Sequence, residues 1–248
     1  MPVNALVATM TKTHSTQRAS SPERKSSTPS TPPISAPMGG CVAINGPVTH
    51  ASEETRQLFL VSLSPSRRQQ LARAGFLFEQ VAPGYEDPAT PEQSDAPAFE
   101  ARALAAHKAL SRYELAVTGH VRLSGGTIVI TDSGHQLGKP TGVDHARRML
   151  QELIDRPHSV VSGICVLTRD EMRLGHVEAP IRITPPNPRA VDEFISTGLW
   201  RDVAGAYRTE DVRNQGWQVE TSVEPVGGLP IDLVADRLAA VGVFPGDQ

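Results

Sequence analysis

The sequence predicts an α/β domain built on a mixed sheet, and three observations carry that prediction. Apolar, β-branched stretches alternate with helical ones from about residue 55 onward. Two long strand-like stretches, 158–169 and 172–184, follow one another around Asp170, the spacing of a hairpin. The chain has 248 residues, 39% of them hydrophobic, enough for one ordinary globular domain or one domain plus a tail. Only 4% of residues are aromatic, so the core must be aliphatic.

In chain order, 57–62 is an apolar strand and 65–74 a helix. Ser64 is a suitable N-cap for that helix, and Pro65 sits at its first position, where a missing N–H costs nothing. Residues 75–81 read as a second strand, and 83–96 as a loop rich in Pro, Asp and Glu. Residues 97 to about 116 read as a helix, 127–131 as a β-branched strand, and Asp132-Ser-Gly134 as a turn. Thr141 is placed to cap a helix on which Ala146, Met149, Leu150, Leu153 and Ile154 recur at helical spacing. After the hairpin come a short helix, 188–197, ended by Gly198, a last strand, 216–223, and a last helix, 230–241. No internal repeat is present.

Residues 1–54 read as a separate Ser/Thr/Pro-rich tail, and 55–248 as the folded domain. From Thr11 to Pro37, Ser, Thr and Pro make up 17 of 27 residues, too little apolar surface to offset the entropy of ordering. A disordered tail, an organelle transit peptide and a start placed too early, with Met10 or Met38 the true one, all fit this composition. No run reaches the roughly 18 apolar residues of a membrane helix. The net charge of −3 gives no footprint for nucleic acid. Two cysteines, Cys41 and Cys165, cannot make a disulfide framework or a cysteine zinc site, so a reducing, cytoplasmic setting is expected.

The stretch Leu60-Val-Ser62-Leu-Ser64-Pro65-Ser-Arg67-Arg68 joins the first strand to the first helix. A helix start offers free amides and the positive end of a dipole, which suits an anion. Arg67 and Arg68 fall in the turn where the dipole alone disfavours cations, and Arg binds phosphate as a bidentate fork. These residues read either as a phosphate cradle or as an ordinary capped helix with two solvated arginines.

Seven short motifs, in order, resemble those of the Maf proteins, a family of nucleoside-triphosphate pyrophosphatases. Leu60-Val-Ser62-Leu-Ser64-Pro65-Ser66-Arg67 resembles the family's opening signature. Gly75-Phe-Leu-Phe-Glu79, Leu104-Ala-Ala-His-Lys108-Ala109 and Leu137-Gly138-Lys139-Pro140 follow. Then come His158-Ser-Val-Val-Ser162-Gly163, Ala204-Gly205-Ala206-Tyr207 and Gly227-Gly228-Leu229-Pro230. Each is weak alone; the ordered set is specific.

The resemblance implies an elongated mixed sheet with flanking helices and two lobes around a central cleft, similar to inosine-triphosphate pyrophosphatases. It implies cleavage between the α and β phosphates of non-standard or modified nucleotides, with a divalent metal, Mg or Mn, as cofactor. The expected partner is thus a nucleoside triphosphate, not nucleic acid or membrane, and a homodimer stays open as the assembly. Carried over by position, Ser62, Ser64 and Arg67 would bind phosphate, as would Lys108 and Lys139. Lys108 lies four residues after Leu104 and shares its helical face. Glu86 and Asp87 fall on the family's acidic pair and would hold the metal, with Asp87 and Lys139 also catalytic.

Two departures qualify the resemblance. Glu210 replaces a common Gln at a substrate-binding position, and resembles a branch associated with 7-methyl-GTP, although Ser66 stands where that branch has Trp. The family's catalytic aspartate is missing. Counting back from Gly138 puts Thr127 in its place, and one extra turn residue puts Gly126 there instead. Asp132 is the nearby carboxylate and so a catalytic candidate. It has the wrong parity from Thr127, or lies roughly 20 Å from Gly126 along a strand. The chain therefore reads as a pyrophosphatase of low turnover, or as an impaired relative that binds nucleotides or a partner.

Overall fold

A computed structural model describes residues 56–88, 93–117, 119–223 and 227–246; the expected tail, 1–54, lies outside them. Strand β1 (Leu58–Val61) leads through Ser64 into helix α1 (Pro65–Arg73), and edge strand β2 (Glu79–Val81) follows. Helices α2 (Pro97–Leu110) and α3 (Glu114–Val117) precede the long strand β3 (Val121–Ile130), which turns back into the short β4 (Gln136–Leu137). Helix α4 (Val143–Leu153) leads to the hairpin of β5 (His158–Leu167) and β6 (Met172–Thr184). Helix α5 (Ala190–Thr197), a 3-10 turn (Ala204–Ala206), helix α6 (Thr209–Asn214), β7 (Gln218–Thr221) and α7 (Ile231–Ala239) complete the order.

The seven strands form one mixed sheet in the order β2-β1-β3-β5-β6-β7, with β4 also paired to β3. Strand β1 runs parallel to β2 and β3, and every other pairing is antiparallel. Strand β5 pairs with β3 from Arg122 to Ile130. On the opposite edge of β3, β1 pairs only as far as Leu123 and β4 only from Val129. Residues 124–128 therefore have no strand beside them on that edge, and the sheet has a gap there.

Side chains alternate across a strand, so β3 presents two different faces. On one face, Val121 and Leu123 belong to a core with Leu58, Leu60, Leu71, Val234 and Leu238. Val129, farther along the same face, belongs to a second core with Leu150, Leu153, Phe194 and Trp217. Gly125 and Thr127 lie between the two cores. The pattern makes two lobes joined by β3, β5 and β6, with the gap in the sheet between them. The opposite face carries Ser124, Gly126 and Ile128 and packs on α2.

Most expected elements are present, and the differences have local causes. Strand β3 begins at Val121, six residues before the expected strand at Thr127. Arg122 and the Gly125-Gly126 pair break the apolar pattern there, yet Arg122 is buried and donates to the carbonyls of Arg112 and Thr168. The expected helix 97–116 divides after Leu110, where Ser111 Oγ donates to Lys108 O at 2.6 Å and competes with the helix ladder. Helix α4 is capped by Gly142 rather than Thr141, whose hydroxyl lies 3.1 Å from His145 Nδ1. Gly198 ends α5 in the left-handed conformation, as glycine readily does. Among the described residues, no helix is long and apolar enough to cross a membrane.

Candidate active site

A cleft of about 970 Å³ opens at the gap in the sheet. Its position follows from three connections that end there. The Ser62–Ser64 loop leaves the end of β1, the Gly138–Pro140 turn leaves β4, and the Ala204–Tyr207 turn packs on the latter. Gly205 N donates to Gly138 O at 3.0 Å, in a left-handed conformation that lets its backbone approach Val129.

Ser64 caps α1 as expected, its Oγ accepting from Arg67 N at 3.4 Å. Arg67 and Arg68 then part company: Arg68 is exposed, whereas Arg67 is buried. The Arg67 guanidinium donates to Ser62 Oγ at 3.4 Å, to Thr127 Oγ1 at 3.0 Å and to Gly228 O at 3.4 Å. It thereby ties two separate connections to the central strand β3. Burial pulls its pKa below the ordinary arginine value, with nearby Asp87 opposing the shift and Arg208 adding to it.

Asp87 is the central carboxylate. The Lys108 ammonium lies 2.7 Å from each of its oxygens, with hydrogen-bond geometry to Oδ2. Lys139 Nζ reaches the same Oδ2 at 3.2 Å. Lys108 also donates to Gly125 O at 3.2 Å, across the unpaired edge of β3. Burial alone would raise the Asp87 carboxyl, but the two ammonium groups outweigh it and hold the pKa below the usual value. Burial is also the main influence on Lys108, with Arg67 adding to it, and brings its pKa down to about 8 against the pull of Asp87. Asp87 Oδ1 is buried and has no partner in hydrogen-bond geometry.

The cleft is thus lined by Ser62, Ser64, Arg67, Glu86, Asp87, Lys108, Thr127, Lys139 and Glu210, all expected from the sequence. Asp132 is the exception. It is exposed in the turn beyond the end of β3 and does not line the cleft, because the strand runs straight past the gap and carries it away. Thr127 and Gly126 lie on opposite faces of β3. Thr127 faces the cleft, whereas a Cβ on Gly126 would lie 2.4 Å from Ala101 O in α2.

Sequence reasoning missed Arg208 and Tyr207 as cleft residues. Arg208 pairs with Asp211 at 3.1 Å. Tyr207 Oη lies 2.6 Å from His158 Nε2 and links the turn to β5. The Ala-Gly-Ala-Tyr motif marked the segment, but nothing in its residue types showed which way it faced.

The donor set bears on a metal. Among the described residues, no cluster of three or more His, Cys, Asp or Glu could hold one. Asp87 already neighbours two ammonium groups, while Glu86 is exposed at the cleft and has no ion pair among the described residues. Such a site fits an ion held chiefly by a ligand's own oxygens, as Mg²⁺ often is.

Comparison with known proteins gives a consistent family. A dTTP/UTP pyrophosphatase of Symbiobacterium thermophilum is 35% identical over 198 residues, covering 77% of this chain and 98% of that protein. A dTTP/UTP pyrophosphatase of Citrifermentans bemidjiense is 34% identical over 75% of this chain and 96% of its own length. One from Pyrococcus horikoshii is 31% identical over 76% and 98%. Among solved structures, a nucleoside-triphosphatase (dITP/XTP pyrophosphatase) of Mycobacterium abscessus aligns with a TM-score of 0.34 and 16% identity, over 51% of this chain and 74% of that one. A family model described as Maf-like protein matches residues 57–241, nearly the whole of the described domain. With the ordered motifs gathered around one cleft, the chain belongs to the Maf family.

Proposed function

We propose that the chain hydrolyses nucleoside triphosphates between the α and β phosphates, releasing a nucleoside monophosphate and pyrophosphate. The observation that carries this reading is a local cluster in the cleft: Arg67, Lys108 and Lys139 converge around one carboxylate, Asp87. That surplus of cations suits a triphosphate chain. Water attacks the α phosphorus, the bond from phosphorus to the bridging oxygen breaks, and pyrophosphate leaves with the electron pair. Asp87, held in place by the two lysines, is the cleft carboxylate that orients that water and accepts its proton as the new bond forms. Lys139 and the hydroxyls of Ser62 and Ser64 face the phosphates. A divalent cation, when bound, would offset phosphate charge, with Glu86 as the carboxylate best placed to share it.

The relatives' names make dTTP and UTP the first substrates to test, and Glu210 adds 7-methyl-GTP. The other reading, a relative that binds nucleotides without turnover, rests on Thr127 alone and is the weaker one, because Asp87 remains in the cleft. A cytoplasmic setting fits a chain with too few cysteines for a disulfide framework.

The test is to incubate the purified chain with these three nucleotides and the ordinary purine triphosphates, with Mg²⁺ or Mn²⁺, and identify the products. Monophosphate plus pyrophosphate is expected. Diphosphate plus orthophosphate would overturn the reading, and so would no product from any of them.

A further inference from the structure

We propose that Lys108 is a positioning residue for Asp87 and not a ligand of the substrate phosphates. The inference rests on the pyrophosphatase reading and assigns Lys108 a different task from Lys139. The two lysines reach the same carboxylate from different surroundings. Lys139 leaves a turn beside the cleft mouth, its side chain is 40% exposed, and it makes one ion pair, at 3.2 Å. It keeps N–H groups for an incoming anion, since an ammonium has three.

Lys108 comes from the last turns of α2, on the opposite side of the sheet from Arg67, and its side chain is only 7% exposed. Its ammonium faces both oxygens of Asp87 at 2.7 Å and Gly125 O at 3.2 Å. The Gly125 carbonyl is available because neither β1 nor β4 reaches that part of β3. A strand closing the gap would compete for it.

This arrangement fixes Asp87 in two ways. Among the described residues between β2 and α2, Asp87 included, none belongs to a strand or helix. Lys108 anchors Asp87 to the rigid central strand through a single charged group. Lys108 lies 2.7 Å from both oxygens and Lys139 lies 3.2 Å from Oδ2, so the pair of lysines restricts rotation of the carboxylate. A carboxylate whose place and rotation are fixed in this way is suited to aligning a water. Misplacement of such a group by about 1 Å commonly costs on the order of 100-fold in rate.

The experiment compares Lys108→Met, Lys139→Ala, Asp87→Asn and the double variant Lys108→Met/Asp87→Asn in the full chain with Mg²⁺. Turnover is read with dTTP or whichever triphosphate the wild type cleaves. Affinity is read by calorimetry with its α,β-methylene analogue. Lys108→Met should lower kcat by about 100-fold or more and leave the analogue's Kd unchanged. Lys139→Ala should weaken Kd by about tenfold or more, the effect of losing a charged hydrogen bond. The double variant should turn over no more slowly than Asp87→Asn, because Lys108 acts through Asp87.

The double variant also removes the buried charge that Lys108→Met would leave with Lys139 alone beside it, so the comparison stands if the single variant does not fold. A tenfold weaker Kd with kcat retained in Lys108→Met would overturn the proposal, as would a further tenfold loss in the double variant relative to Asp87→Asn. If the wild type binds the analogue but cleaves nothing, the hydrolase reading fails first, and the positioning role falls with it.

Discussion

Gly126 of β3 and Gly163 of β5 stand directly opposite one another, and together they seat the backbone of Ala101 in α2. A Cβ on Gly126 would lie 2.4 Å from Ala101 O, and one on Gly163 would lie 2.3 Å from Ala101 C and O. The pair lets a helix approach the sheet more closely than any side chain allows. It also sets the height of α2 and so the reach of Lys108.

The pair gives the first prediction. Gly126→Ala and Gly163→Ala should each destabilise the fold by about 1–3 kcal/mol or more, the usual cost of overpacking. Chemical denaturation of each variant checks this. A midpoint equal to the wild type would mean that α2 can move away at little cost.

The second prediction concerns the missing aspartate. Thr127→Asp places a carboxylate in the cleft beside Arg67, 3.0 Å from the present hydroxyl, without touching α2. It should keep the fold and raise pyrophosphate release by about tenfold or more, since a positioned base is commonly worth about 10²–10⁴. Gly126→Asp should instead unfold the domain. Asp132→Asn should leave turnover unchanged, because Asp132 is outside the cleft. Assaying the three side by side separates the positions, and loss of turnover in Asp132→Asn would refute the placement.

Arg67 carries the third. Its guanidinium ties Ser62, Thr127 and the Gly228 carbonyl together from a buried position. Arg67→Ala should therefore weaken both nucleotide affinity and stability, each by about 1.5–3 kcal/mol. A solvated arginine would change neither. Thermal melts and calorimetry on the same preparation test both halves.

The fourth is a pH dependence. His158 is buried; its Nδ1 donates to Arg156 O, so in the neutral ring Nε2 accepts from the Tyr207 hydroxyl. Burial holds its pKa below the ordinary 6.5, with Asp132 and the Arg156 carbonyl opposing the shift. The unfolded chain then takes up a proton near pH 6.5 that the folded chain refuses. Stability from this group is complete above pH 6.5 and falls as the pH drops from 6.5 towards the folded value. His158→Gln should flatten the decline of Tm between pH 7 and 5, after an overall loss of about 1 kcal/mol for the Tyr207 contact. An unchanged slope would assign the decline to other groups.

Much of this protein was open to reading in the chain. Ser64 and Pro65 specify the start of α1 through local chemistry, since a hydroxyl cap and a fixed φ act within one turn. The hairpin of β5 and β6 follows from long apolar runs around a turn. The residue types of the site were legible too, because a polyphosphate site calls for Arg, Lys and carboxylate in some arrangement, and ordered motifs supplied the positions. What the tertiary structure alone decided is where those groups point and what they touch. Arg67 and Arg68 are the same residue type one position apart, yet only the fold buries the first against Thr127, 60 positions away. Gly126 and Thr127 are neighbours along the chain, but α2 rests on the face of β3 that carries the first and leaves the second facing the cleft. The assignment of Lys108 to Asp87 depends on an unpaired strand edge, created by β1 stopping and β4 starting several residues apart. Caps and periodicity are set by neighbours within a turn or two, whereas a gap in a sheet is set by segments that meet only when the chain has folded.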